Sequence, residues 1–346
     1  MMDKMKAVSV TGIGSTAVVM IDKPVPKPGE VLVRIKACAL CTTEQRVFRG
    51  ITKPSLPYFG GHEMSGVVVG DGGDTFNKWI PGTKVVMRSF PTCGACGSCQ
   101  RGYETQCENI AAVSQAISSR SYGMSEYLVL PERQIFPYYS DKLSFVEASI
   151  SEPIACVIHC IDRAHIDLGD DVVVIGAGIM GMLNMQIAKL KGARVIVAEI
   201  DAARREVAKQ LGADVVFNPI EENQVEKVQK LTNGRGADVV INTTSIYEVA
   251  GQAIQMCARM GRVLLYAGLH PDEPVPIKLG EMHNKETSII GTVSPTVNDF
   301  RRAVKLLDMD IINIKPLIAH AIPIDNAQKA FELATPGTYR VIITMD

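Results

Sequence analysis

The stretch GDDVVVIGAGIMGMLNMQIAKLKGARVIVAEID, residues 169–201, contains a strand, a glycine-rich turn, a helix and a second strand in close succession. The run VVVI at 172–175 predicts a parallel strand buried on both faces, because such strands read as unbroken apolar runs rather than alternations. Gly176, Gly178 and Gly181 follow as G-x-G-x-x-G and lead into an amphipathic helical pattern. VIVA at 195–198 makes the second strand, which stops at Glu199, 23 residues after Gly176 (199 − 176). The three glycines serve different ends, since Gly176 permits a tight turn, Gly178 lets a pyrophosphate approach the backbone, and Gly181 lets the helix pack closely. The helix N-terminus then offers amides and a partial positive charge to phosphates. Ile179 and Met180, between the glycines, and Arg204 downstream are further candidate cofactor contacts. Glu199 can accept hydrogen bonds from both ribose hydroxyls and would repel a 2′-phosphate, which favours NAD over NADP. The alternatives are a solvated strand-end charge at Glu199 and a glycine-rich turn that holds no ligand.

Working outward, ADVVIN at 237–242, a helix predicted over 249–260, GRVLLYAG at 261–268 and TSIIGTV at 287–293 continue the alternation of strand and helix. That alternation predicts an α/β fold with a doubly wound parallel sheet, and the dinucleotide-binding unit is expected over residues 154–294. Upstream, the runs KAVSV, EVLVRIKACAL, MSGVVVG, TKVVMRS and SEYLVLP are broken by proline and glycine. They predict a compact, β-rich barrel with short helices.

The chain has 346 residues, enough for two domains, with 36 basic against 37 acidic side chains and a net charge of −1. No basic stripe with interleaved aromatics is present, so no nucleic-acid partner is expected. The N-terminal MMDKMKAVSV lacks the apolar core of a secretory signal, and no apolar run approaches the roughly 18 residues of a membrane span. A cytoplasmic location is the expectation, and in a reducing compartment nine cysteines point to metal binding more than to disulfides.

Cys93, Cys96, Cys99 and Cys107 have the spacing C-x2-C-x2-C-x7-C, threaded with Gly94, Gly97 and Gly102. Glycine-bearing turns let four thiolates converge on one ion with Zn–S bonds of about 2.3 Å, and a closed four-sulfur shell would make that zinc structural. A four-cysteine iron–sulfur cluster or incidental free thiols are the alternatives. Further single candidates are Cys41 in ALCTTEQ, His62 and Glu63 in FGGHEMSG, and Glu152 in SEPIACVIHC.

Taken together, Cys41, GGHE at 60–63, the four-cysteine loop, EP at 152–153 and GAGIMG at 176–181 occur in one order. That order resembles the zinc-dependent medium-chain dehydrogenase/reductase family, in its polyol (sorbitol-type) and threonine dehydrogenase branches. KPLIAHAIPIDNAQKAFELA at 315–334 resembles the family's closing segment, so the resemblance runs nearly end to end. It implies a discontinuous GroES-like catalytic domain, residues 1–153 and 295–346, around a Rossmann NAD-binding domain over 154–294. It also implies two zinc ions per chain, one catalytic and one structural. Cys41 and His62 would be ligands of the catalytic zinc, with Glu63, Glu152 or water completing the shell.

Three protein ligands leave a position for the substrate hydroxyl, whose pKa a Lewis acid lowers, and the carbinol carbon then yields hydride to the nicotinamide. Thr43 matches the family's Ser/Thr proton-relay position, with a turn-capping threonine as the alternative. Where many relatives continue the relay through a histidine five residues after the cysteine, this chain has Arg46, a poor proton acceptor. GTKV at 82–85 and YGMSEY at 122–127 also depart from the family's GDRV and GGxAEY, and neither touches the candidate ligands.

Arg46, Arg49, Arg120 and Tyr122 are candidates for contact with a polyhydroxylated or acidic substrate, or else solvated loop residues. Cys156, His159 and Cys160 share a helix face and read as packing residues. The implied activity is NAD-dependent oxidation of a secondary alcohol of a polyol, sugar or cyclitol. The alternatives are threonine-type oxidation of a 3-hydroxy amino acid, a zinc-free NADP-dependent enone or quinone reductase, and a non-catalytic protein that keeps the fold. A homodimer or homotetramer is expected by the same resemblance, joined through the strand near 287–293.

Overall fold

A computed structural model of the chain describes residues 3–90, 92–113, 122–269 and 272–345. Arg120, His270 and most of the loop before Tyr122 lie outside the described residues. Two units emerge, one formed by Met1–Ala155 with Pro295–Asp346 and the other by Cys156–Ser294.

The first unit opens with β1 (Lys4–Gly12), β2 (Ser15–Asp22), β3 (Glu30–Ala39), α1 (Thr42–Phe48), β4 (Tyr58–Phe59), β5 (Glu63–Asp71) and β6 (Lys84–Arg88). β7 (Tyr127–Pro131) and β8 (Ile135–Pro137) follow, and then α2 (Ser151–Ala164), whose first residues close this stretch of the unit and whose remainder, from Cys156, belongs to the second unit. Along β3, Val31, Val33 and Ile35 fall two residues apart and enter one core with Val8, Val68 and Leu128. This is the period-2 burial that a sheet imposes.

The second unit contains β9 (Asp171–Ile175), α3 (Ile179–Leu190), β10 (Arg194–Ala198), α4 (Ala202–Gln210), β11 (Val215–Phe217) and α5 (Gln224–Leu231). β12 (Ala237–Asn242), α6 (Tyr247–Gln255), β13 (Cys257–Leu265), α7 (Leu279–Lys285) and β14 (Ser288–Gly291) complete it. Its sheet has the order β11-β10-β9-β12-β13-β14, and every pairing is parallel. That is the strand order of a Rossmann fold. All five residues of β9 are buried, as the unbroken VVVI run requires.

One boundary differs from expectation. The helix predicted over 249–260 ends at Gln255, and β13 begins at Cys257, paired with Ala237. Met260 has φ +60°, a left-handed conformation that no right-handed helix accepts. Apolar spacing alone did not separate the helix end from the buried strand start.

The chain re-enters the first unit through α8 (Val297–Asp308), β15 (Ile318–Pro323), α9 (Ala327–Leu333) and β16 (Arg340–Thr344). β16 inserts between β15 and β3, parallel to the former and antiparallel to the latter. The resulting sheet runs β15-β16-β3-β5-β6-β8 with β7 also on β3, while β2-β1-β4 forms a smaller one. Among the described residues no helix is long and apolar enough to cross a membrane.

Candidate active site

At the end of β3 the chain turns through buried Leu40, and Cys41 becomes the N-cap residue of α1 in an extended conformation. Its half-buried sulfur makes no capping bond and lies 3.9 Å from Thr43 Oγ1. Three residues after Cys41, Glu44 is buried beneath the helix, and its Oε1 accepts from the Gly61 amide at 3.0 Å. The same oxygen lies 3.2 Å from His62 Nδ1. In the neutral imidazole, Nδ1–H donated to Glu44 would leave the lone pair on Nε2, the arrangement that orients a metal-binding histidine. Burial opposes charge on both groups, yet their mutual attraction lowers the Glu44 pKa. With a contribution from Cys41, it raises that of His62 well above the usual imidazole value.

The glycine before His62 is dictated by close approach. Gly61 has φ +100°, and a Cβ there would stand 2.6 Å from the Met124 amide nitrogen. Glu63 then opens β5, opposite Ala39 and Arg88, and is fully buried. Arg340 of β16 grips it with both arms of the guanidinium: Nε donates to Oε2 at 2.9 Å and Nη2 to Oε1. Burial raises the Glu63 pKa to about 7; Arg340 works against this rise and Glu152 adds to it.

Sulfur, nitrogen and oxygen donors of Cys41, His62 and Glu63 all lie within 4.8 Å of one another. Thiolate, imidazole and carboxylate in such a cluster match the donor chemistry of a three-ligand zinc site. Glu152, the second residue of α2, is half-buried and influences Glu63 but is not one of the three. Thr43 is exposed. Sequence reasoning missed Glu44, Arg340 and Tyr58. The TTEQ context reads as a solvated helix start, and nothing local marks Arg340, which lies 277 residues from Glu63. Tyr58 is half-buried, and burial together with the nearby Glu44 raises its pKa to about 12.

The four cysteines of the loop form a second cluster, with sulfurs also within 4.8 Å of one another. Cys93 and Cys99 sulfurs are 4.0 Å apart, close to the roughly 3.8 Å between corners of a tetrahedron with 2.3 Å Zn–S bonds. Backbone amides of Ala95 and Cys96 donate to Cys93 Sγ at 3.4 and 3.3 Å, and the Cys99 amide donates to Cys96 Sγ at 3.5 Å. The Ala95 amide, the Asn109 side chain and the Cys96 amide pull the Cys93 pKa down to about 6. Thiolate-directed amides are what a four-sulfur metal shell requires. The lobe is tied to the rest of its unit by Glu104, whose Oε2 accepts from the Val297 amide at 2.9 Å.

In the second unit, Gly178 is the N-cap of α3 and has no side chain to satisfy the first amides, which leaves them open to an anion. A Cβ at Gly181 would stand 1.9 Å from the Gly176 carbonyl oxygen, so the turn and the helix meet only through glycine. Ile179 is buried and Met180 half-buried on this first turn. Glu199 is buried at the end of β10, and its oxygens accept from the Ala177 amide at 2.5 Å and the Asp201 amide at 2.9 Å. One carboxylate thus ties the glycine loop to the second strand and keeps further lone pairs. Arg204 is half-buried on α4, while Arg205 Nη1 donates to the Glu199 carbonyl at 3.0 Å. Cys160 is buried, as expected of a packing residue, and so is Cys257.

A family model described as an alcohol dehydrogenase GroES-like domain matches residues 27–140, and one described as a zinc-binding dehydrogenase matches residues 180–309. An L-threonine 3-dehydrogenase of Pyrococcus horikoshii is 31% identical over 355 residues, covering 100% of this chain and 99% of that protein. The chain belongs to the zinc-dependent medium-chain dehydrogenase family. Within the polyol and threonine branch of these dehydrogenases, a D-arabitol-phosphate dehydrogenase of Enterococcus avium is 29% identical over 344 residues, covering 96% of this chain and 95% of that one. A solved zinc-binding dehydrogenase of Sinorhizobium meliloti, bound to NADP, superposes with a TM-score of 0.88 at 28% identity, with 99% of each chain covered.

Proposed function

We propose that the protein oxidises a secondary hydroxyl of a polyol, sugar or cyclitol to the ketone, with NAD as the hydride acceptor. The observation that carries this reading is the convergence of Cys41, His62 and Glu63 donors within 4.8 Å in a chain of this family. Cys41 and His62 would hold the catalytic zinc, with Glu63, Glu152 or water completing its shell, and Cys93, Cys96, Cys99 and Cys107 would hold a structural one. When bound, zinc supplies Lewis acidity and the nicotinamide a hydride acceptor, so that a secondary alcohol and NAD+ give the ketone, NADH and a proton.

The chain's own residues do the rest. Glu44 fixes the imidazole of His62 through Nδ1, and Arg340 fixes the carboxylate of Glu63. Thr43, beside the Cys41 sulfur, would pass the hydroxyl proton to water, since Arg46 has no lone pair to receive it. The backbone amides at the start of α3 would take the pyrophosphate, lined by Gly176, Gly178, Ile179, Met180 and Gly181, with Arg204 nearby in sequence. Glu199 would accept from the ribose hydroxyls and disfavour a 2′-phosphate.

A second reading is threonine-type oxidation, favoured by the full-length 31% identity to the Pyrococcus enzyme. The Cys41, His62 and Glu63 cluster argues against a zinc-free reductase. A homodimer or homotetramer would cover the open edge of β14. Nine cysteines used as thiols and metal ligands suit a cytoplasmic location.

The test is a screen for NADH formation across polyols, sugars, inositols and L-threonine, with metal analysis of the same preparation. Turnover of a polyol or sugar supports the proposal, turnover of L-threonine alone replaces it with the second reading, and turnover of none defeats both. Cys41→Ser is expected to abolish turnover and remove one class of bound zinc while NAD binding stays measurable.

A further inference from the structure

The arginines that follow Cys41 differ in what the fold asks of them. Arg49 belongs to the packing: its Nη2 donates to the Ala334 carbonyl at 3.0 Å, which fastens the end of α1 to the end of α9. Arg46 is half-buried on α1, and its guanidinium has no hydrogen bond or ion pair among the described residues. The carboxylates around the candidate zinc site have other partners. Glu44 is engaged by His62 and the Gly61 amide, and Glu63 by Arg340. A partly desolvated cation without a counter-charge is unfavourable, and its natural complement is an anion from outside the protein.

Arg46 stands on the same short helix that Cys41 caps. Arg46 lies three residues after Thr43 and four after Thr42, on their side of the helix. At a rise of 1.5 Å per residue its Cα is displaced about 7.5 Å along the axis from Cys41. Helical side chains in general lean back toward the N-terminus, which for a residue at position 46 is the turn that carries Thr43 and Cys41. The backbone carbonyl of Arg46 accepts from the amides of Ile51 and Thr52 at 2.9 and 3.2 Å, which fixes the helix end from which the side chain projects. Arginine cannot relay a proton, but its planar fork pairs bidentately with phosphate or carboxylate.

We propose that Arg46 recognises an anionic group on the substrate, so that the alcohol oxidised is a polyol bearing a phosphate ester or a carboxylate rather than a neutral polyol. This inference rests on the alcohol-oxidising site proposed above. The reacting hydroxyl is held at the Cys41 and His62 end of α1 and the anionic group roughly one helical turn further along.

The experiment compares kcat/KM of the zinc-loaded full-length enzyme on matched pairs: sorbitol against its terminal phosphate ester, arabinitol against its terminal phosphate ester, and galactitol against galactonate. One arm is expected to exceed its neutral parent by about 10- to 100-fold, the worth of a charge-assisted hydrogen bond, and the arm that does so identifies the anion. Arg46→Gln should collapse that anionic-to-neutral ratio toward unity, and Arg46→Lys should retain part of it for the phosphate. A wild-type ratio near one with neutral polyols still oxidised overturns this inference and leaves the proposed function standing. A shift in the KM for NAD with the ratio intact also overturns it and moves Arg46 to the cofactor. Absence of turnover on every member of the set defeats the proposed function, and this inference with it.

Discussion

Arg340 donates through Nε to Glu63 Oε2 at 2.9 Å, joining the last strand of the chain to the residue that follows His62. Both groups are buried and face each other across the sheet in which β16 lies against β3 and β3 against β5. The pair gives a carboxylate of the candidate zinc site a fixed orientation and a counter-charge, neither of which its own loop provides.

Removing one partner of such a pair strands the other. Arg340→Ala is expected to destabilise the protein by about 3–5 kcal/mol, measured by urea unfolding, because a buried carboxylate would be left without compensation. A loss below about 1 kcal/mol, the range of an exposed pair, would show that Glu63 finds another partner.

Glu44 acts on His62 without needing to touch a metal. Glu44→Gln preserves shape and removes charge, and a drop of about 10- to 100-fold in zinc affinity or activity is expected. Zinc retention during dialysis against a chelator, read alongside kcat, measures it; unchanged retention would show that His62 is oriented without Glu44.

Glu199 has two duties, one to the glycine loop and one proposed toward the ribose. Glu199→Ala should lower the NAD-over-NADP ratio of kcat/KM by about tenfold or more, the worth of one charged hydrogen bond. An intact ratio would confine Glu199 to its bonds with the Ala177 and Asp201 amides.

Glu132 offers a pH reporter far from the chemistry. Its carboxylate accepts from the Phe76 and Asn77 amides at 2.8 and 3.1 Å and from Nε1 of Trp79, the single tryptophan, at 3.3 Å. Burial pushes its pKa up, but these bonds more than offset it and the net shift is downward. A carboxyl with a depressed folded pKa contributes stability above the ordinary glutamate value of about 4.3 and loses it as pH falls through the folded value. Trp79 emission should therefore change below about pH 4.3, and Glu132→Ala should abolish the transition. A transition above that pH would contradict the assignment.

The glycine loop and the four-cysteine lobe were legible because their chemistry is local: spacing alone brings Cys93 to Cys107 together, and three glycines define the turn into α3. The candidate catalytic residues were isolated candidates by local pattern, and only the family resemblance joined Cys41 and His62 with Glu63, Glu152 or water into one ligand set. Cys41, His62 and Glu63 sit on different elements, and their convergence depends on β3 pairing with β5 and on the close approach of Gly61 to Met124. The boundary between α6 and β13 was misread because apolar periodicity cannot register the pairing of Cys257 with Ala237.

By itself the sequence determined the strand and helix types, the dinucleotide loop and the cysteine lobe, since period and spacing act over a few residues. Only the tertiary structure decided which carboxylates are paired, that Glu44 is buried behind His62, and that Arg49 is engaged while Arg46 has no partner among the described residues. The pairing of Glu63 depends on the return of β16 beside β3, hundreds of residues after the chain has passed Cys41, and that of Arg49 on the return of α9. A side chain's charge is written in the sequence, but its burial and its partner are set by whatever the rest of the chain brings against it.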